Sequence, residues 1–127
     1  MSRLARIALV LAALAVLAAA PAGSGAHGPT AHASKSCGTG SGRGLGPTYA
    51  FRLKVQHTSC RNGRKLIRAY NDCRHSNGGR KGHCSRTLGY SCSEKRFDQS
   101  RLSFDANVKC SKGGGRRINH TYTQNLR

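Results

Sequence analysis

CRNGRKLIRAYNDCR, residues 60–74, is the stretch that decides how this chain folds. Cys60, Gly63, Ile67, Tyr70 and Cys73 recur at steps of three and four, with Leu66 alongside, which is one face of a helix. Ser59 or Thr58 can cap the first turn, because a hydroxyl oxygen there accepts a hydrogen bond from an unpaired backbone N–H. Arg61, Arg64, Lys65 and Arg68 repeat at the same spacing on the other side. The helix therefore buries an apolar, cysteine-bearing face and shows a basic stripe. Asn71 and Asp72, followed by the Ser-Asn-Gly-Gly run at 76–79, bring it to an end. Asn62 and Gly63 are weak helix formers, so pattern rather than propensity carries this assignment.

The flanking stretches alternate with period two, the signature of half-buried strands. Before the helix, Tyr49, Phe51, Leu53 and Val55 stand against Ala50, Arg52, Lys54 and Gln56. After it, Leu88, Tyr90 and Cys92 share a side. Leu102, Phe104, Ala106, Val108 and Cys110 then oppose Ser103, Asp105, Asn107 and Lys109. The three glycines at 113–115 make a tight turn, since glycine reaches positive φ without strain. Ile118, His120 and Tyr122 form a last strand that pairs back on 102–110 as a hairpin. Residues 80–85 read as a basic, turn-rich link carrying Cys84, residues 93–100 as a polar loop, and residues 123–127 as a polar tail that frays.

Ahead of this lies a different kind of sequence. Arg3 and Arg6 precede an unbroken run of fourteen apolar residues, 7–20, followed by small residues and Pro21. That is the form of a secretory signal peptide, and the run falls short of the roughly 20 residues a membrane span needs. Ser24-Gly25-Ala26 and Ala31-His32-Ala33 both offer small residues at the right positions, so the signal occupies 1–26, with cleavage as late as 33 as the alternative. Residues 27–47 are rich in Gly, Ser and Ala and read as a flexible leader anchored only at Cys37; residues 48–127 form the folded domain.

The cysteines at 37, 60, 73, 84, 92 and 110 all follow the signal, and an even count in an exported chain reads as three disulfides. Zinc is the alternative, with His57, His75, His83 and His120 at hand, but no Cys-x-x-Cys pair occurs and no metal or cofactor is expected. Six cysteines allow 15 pairings. The sequential one, Cys37–Cys60, Cys73–Cys84 and Cys92–Cys110, ties the leader to the helix start, closes the loop after the helix and staples two neighbouring strands.

Of the 22 Lys and Arg residues, 20 remain once Arg3 and Arg6 are removed, against Asp72, Glu94, Asp98 and Asp105. The net charge is then about +16 with neutral histidines. Such a field draws in polyanions: nucleic acid, cell-wall polymers of the teichoic-acid kind, anionic lipid or acidic polysaccharide. A solvated basic surface without a partner gives the same composition. The stripe Arg61, Arg64, Lys65 and Arg68 is the sharpest binding candidate, since arginines bond phosphate oxygens in bidentate fashion.

Other function classes find less support. His57 and His120 suit acid–base cleavage of RNA, but nothing in the sequence brings them together. No nucleophile motif and no close pair of carboxylates occurs, so no catalytic residue is assigned. An extracellular interaction protein or inhibitor, with Arg80-Lys81 or Lys95-Arg96 as exposed bait, is the runner-up. Asn119-His120-Thr121 matches a glycosylation sequon.

Thr58-Ser59-Cys60, Arg68-Ala69-Tyr70 with Cys73-Arg74, Gly89-Tyr90-Ser91-Cys92, Val108-Lys109-Cys110 with Gly113, and His120-Thr121-Tyr122-Thr123-Gln124 together resemble a loose group of small exported actinobacterial proteins without assigned function. The resemblance spans most of residues 50–125 and implies export, the cysteine frame and a helix-plus-sheet domain. It departs at Gly63, where the group usually has alanine. The expectation is a secreted α+β domain, stapled by disulfides, with one helix on a three- to four-stranded antiparallel sheet.

Overall fold

The computed structural model describes residues 33–127. The segment expected to be a signal peptide and the first part of the expected leader, with His27 and His32, lie outside the described residues.

Six strands form one antiparallel sheet: β1 (Lys35–Ser36), β2 (Tyr49–Gln56), β3 (Arg86–Thr87), β4 (Tyr90–Phe97), β5 (Ser103–Lys112) and β6 (Arg116–Asn125), in the order β1-β2-β6-β5-β4-β3. One helix, α1 (Cys60–Ser76), packs on one face. The architecture is α+β, with six strands rather than three or four. The two extra strands are two-residue edges, and their brevity hides them from any periodicity.

The helix forms as its pattern dictates. The Ser59 hydroxyl accepts from the Asn62 N–H at 3.2 Å, and Gly63, Leu66, Ile67 and Tyr70 are buried. Gly63 marks the close approach to the sheet: a Cβ there would lie 2.9 Å from Val55 Cγ1 and 3.0 Å from Leu53 Cδ1. These side chains join Phe104, Ala106, Val108, Ile118 and Tyr122 in one core.

Four sequence expectations meet local corrections. The tail does not fray from residue 123: β6 runs to Asn125, Gln124 is buried, and the Leu126 N–H donates to the Leu102 carbonyl. In β2, Ala50 pairs with Tyr122 and Arg52 with Thr121, which leaves Phe51 as an extra residue in a bulge. The bulge shifts the alternation by one. Ala50 is buried, Leu53 and Val55 point inward as expected, and Tyr49 and Phe51 are 39% and 45% exposed. Residues 93–97 belong to a strand and only 98–100 to a loop: β4 runs through Phe97 and pairs with β5 from Ser91↔Ser111 to Phe97↔Asp105. The inward positions of β4 are Tyr90, Cys92, Glu94 and Arg96, so beyond Cys92 its period two carries polar side chains and no hydrophobic signal. The part of the leader that is described is packed, not loose. Residues 35 and 36 pair with β2, and a 3-10 turn at Arg43–Leu45 puts Leu45, 3% exposed, into the core.

Disulfides join Cys37 to Cys60, Cys73 to Cys84 and Cys92 to Cys110, with Cα–Cα separations of 5.6, 5.6 and 4.1 Å. Two of them tie α1 to the chain segments at the sheet's two flanks; the third links directly opposed residues of β4 and β5. With no free cysteine among the described residues, this fits an oxidising, extracellular environment. No helix among the described residues is long and apolar enough to cross a membrane.

Candidate functional site

A sheet with a helix on one side has a second side, and here it is uncovered by any element among the described residues. Strand register places its side chains in rows. Lys54, Asn119, Lys109 and Ser93 form one row across β2, β6, β5 and β4. Arg52, Thr121, Asn107 and Lys95 form the next, and Gln56, Arg117, Ser111 and Ser91 a third. Neighbours within a row stand about 5 Å apart, so Lys54 and Lys109 are separated by about 10 Å. Among these rows Arg52, Lys54, Lys95, Lys109 and Arg117 are all exposed, and none holds a carboxylate. The carboxylate of the following row, Asp105, accepts a 2.6 Å hydrogen bond from Thr123 Oγ1.

The face is not flat. A depression of about 210 Å³ is bordered by Arg52, Lys54, Asn107, Lys109 and Asn119; another, of about 340 Å³, by Lys109, Ser111, Arg117 and Asn119. Lys109 and Asn119 are common to both, so the two run together as one trough along β5 and β6. The Thr121 hydroxyl donates to Asn107 Oδ1 at 2.7 Å, which leaves the Asn107 amide N–H donors to the surface.

Charge pairing sharpens the picture. Both ion pairs among the described residues belong to Glu94, with Arg96 Nε at 2.6 Å and His83 Nδ1 at 3.5 Å. Every other Lys and Arg lacks an ion-pair partner among the described residues. With four carboxylates against 22 Lys and Arg in the sequence, most cations have no acid to pair with.

The basic stripe of α1 divides in two. Arg64 donates to the Gly38 carbonyl at 3.1 Å, and Arg68 to the Gly44 carbonyl at 3.2 Å. Both therefore hold the N-terminal segment against the helix. Arg61 and Lys65 remain exposed to solvent. The stripe points away from the sheet, so it and the trough lie on opposite sides of the molecule.

Between helix and sheet lies a polar cluster that sequence reading missed. The Glu94 side chain is 3% exposed and accepts from the Tyr70 and Tyr122 hydroxyls at 2.7 Å each, as well as from Arg96. Burial alone would raise its pKa, but the bonds from Tyr122, Tyr70 and Arg96 outweigh burial and hold the carboxyl below its usual 4.5. Burial, with the hydrogen bond to Glu94, raises both tyrosines. Arg74 is fully buried one turn beyond Tyr70 and donates to the Arg80 carbonyl, Asn71 Oδ1 and Gln124 Oε1. Its guanidinium sits 4.6 Å from the Tyr122 ring centroid. The available signal was the helical step itself, which puts position 74 on the face of Ile67 and Tyr70.

His57 and His120 have different surroundings. His57 is exposed, in the link between β2 and α1. The His120 ring is buried beside Tyr70 and Tyr122, at centroid distances of 5.5 and 6.0 Å, and neither ring nitrogen has a hydrogen-bond partner among the described residues. A buried histidine of that kind is a core residue, out of reach of a polymer on the surface. All six cysteines are spent in disulfides, so none is a thiolate ligand, and no group of three metal-ligating side chains stands together among the described residues.

Comparison with protein-family models, curated proteins and solved structures finds no match for this chain.

Proposed function

We propose that this is a secreted basic protein that binds an extended anionic polymer, a nucleic acid, a cell-wall polymer or an acidic polysaccharide, on the uncovered face of its sheet. The observation that carries this reading is the trough along β5 and β6, flanked by Arg52, Lys54, Lys109 and Arg117, with the asparagine amides of Asn107 and Asn119 between them. The sheet fixes the backbone spacing of these cations, and their long exposed side chains adapt to the polymer at the cost of being ordered. Attraction is mainly electrostatic, through release of the polymer's counterions.

Single-stranded RNA with a 5′-hydroxyl end and a 3′ label, titrated with oxidised protein across a salt series, tests this. Four phosphate contacts give a slope of log K against log salt of about −3. Changing Arg52, Lys54, Lys109 and Arg117 together to Gln should flatten the slope and weaken binding at least tenfold. Changing Arg61 and Lys65 to Gln should cost less than threefold. Equal losses from the two sets would overturn the assignment to the sheet. The same samples, read for strand length, test the nuclease alternative: shortened RNA, with cleavage lost on His57→Ala, would replace the binder with an enzyme. A wall polymer or acidic polysaccharide that competes with RNA at lower concentration identifies the better class of partner.

A further inference from the structure

A second concavity, of about 440 Å³, opens on the helix side at the end of the sheet. Lys65 from α1, Lys112 from β5 and Arg116 from β6 converge on it, and no carboxylate lines it. Lys112 is held in place: its Nζ donates to the Leu88 carbonyl at 3.2 Å and lies 5.5 Å from the centre of the Tyr90 ring. Cations brought from three separate elements to one open concavity, with no counter-charge, suit a doubly charged anion better than a single carboxylate.

His57, Thr58, Asn62, Tyr90 and Leu88 complete the wall, and Leu88 breaks two local rules. It occupies the first position of the two-residue turn between Thr87 and Tyr90, with φ 49°, followed by Gly89 at 74°. Such a turn favours Asn or Asp before glycine, and a bulky residue at positive φ is an outlier. Leu88 is also 45% exposed. Neither the hairpin nor the core gains from leucine there, but an apolar group entering the pocket would.

We propose that this pocket binds a terminal phosphate monoester carried on a flat apolar body, the phosphate among Lys65, Lys112 and Arg116 and the body against Leu88. A free nucleotide and the 5′ end of a nucleic acid share this chemistry. The site uses none of the trough's cations, so its failure and that of the polymer reading are separate.

Calorimetric titration with phenyl phosphate and with inorganic phosphate tests it. Phenyl phosphate should bind saturably, at least tenfold more tightly than inorganic phosphate. Lys65→Gln with Arg116→Gln should remove at least tenfold; Arg52→Gln with Lys109→Gln should change nothing. Leu88→Asn is the decisive variant. It creates the preferred turn, so it should raise the melting temperature by several degrees while bringing phenyl phosphate down to the affinity of inorganic phosphate. A better-folded protein that binds less well separates recognition from stability. No saturable binding at millimolar phenyl phosphate, equal loss in the trough variant, or an indifferent Leu88→Asn would each overturn the proposal. Competition by AMP and by 5′-phosphorylated against 5′-hydroxyl oligoribonucleotides then assigns the source: AMP alone marks a free nucleotide, and the phosphorylated oligomer marks a chain end.

Discussion

His120 shows most plainly what one residue does to this domain. It is buried beside Tyr70 of α1 and Tyr122 of its own strand, with Glu94 of β4 and Arg74 of α1 acting on it electrostatically. Burial pushes its pKa down from 6.5 to about 4; the Glu94 charge pulls upward and the Arg74 charge downward. The unfolded chain therefore takes up a proton near pH 6.5 that the folded chain refuses until about pH 4. Stability is full above 6.5 and declines as pH falls through this window, by about 3 kcal/mol in all. Glu94, held below its usual 4.5, adds its own loss as pH falls below about 4.5. Denaturant titrations at pH 7 and pH 5 should show the difference. His120→Phe, which keeps an aromatic ring in place, should flatten the profile between pH 6.5 and 4.5. A variant that retains the wild-type slope would place the proton elsewhere. Nothing in the sequence marks His120 as buried rather than reactive except its alternation with Ile118 and Tyr122, and that alternation is the better guide.

At the scale of elements, what could be read from the chain depended on whether its inward side chains were apolar. α1, β5 and β6 carry Leu, Ile, Val, Phe and Tyr at the expected spacing, so their existence follows from periodicity, although Leu102 lies exposed ahead of β5 and β6 runs on through the polar residues to Asn125. β4 carries Cys92, Glu94 and Arg96 inward, and a polar core is invisible to a hydrophobicity pattern. The β2 bulge escaped for another reason: Tyr49 and Phe51 look like core residues, and only pairing with β6 shows that an extra residue turns them out. The open face was present in the sequence as the unremarked half of each alternation, Arg52 and Lys54 in one strand and Asn107 and Lys109 in another. What the sequence could not supply is the strand order that sets those halves side by side. The α1 stripe carries the converse lesson, since helical spacing shows which cations share a face but not which are already engaged. Arg64→Gln with Arg68→Gln removes the two bonds to the Gly38 and Gly44 carbonyls. Hydrogen exchange should then quicken in residues 38–45, with RNA binding reduced less than threefold. Strong loss of binding with unchanged exchange would return the binding site to the helix.

For the molecule as a whole, disulfides and charge act together. About sixteen net positive charges on a small domain repel one another, and the core they surround is modest. The three bridges close spans of 23, 11 and 18 residues, and each contributes about 3 kcal/mol on a chain-entropy estimate. Reduction should therefore unfold the domain, seen as loss of the far-ultraviolet sheet signal. The loss should be greatest at low salt, where self-repulsion is least screened. A reduced protein with an unchanged melting temperature would show that the core suffices alone.

The two miniature edge strands have a consequence beyond stability. Sheet edges with unpaired N–H and C=O groups invite pairing with other chains. Here β1 covers part of the β2 edge, and the Gly42 carbonyl accepts from the Ala50 N–H further along it. On the opposite flank β3 covers the start of β4, and the Ser85 and Gly82 carbonyls accept from Cys92 N–H and the Arg96 side chain. Both covering segments are fastened to the same helix, one through Cys37–Cys60 and the other through Cys73–Cys84. Oxidation thus closes the sheet to its own copies. A chain whose cysteines have not paired lacks both fastenings, so any sheet it regains on refolding has two uncovered borders, and light scattering by the refolding reduced protein should rise with concentration where the oxidised protein stays clear.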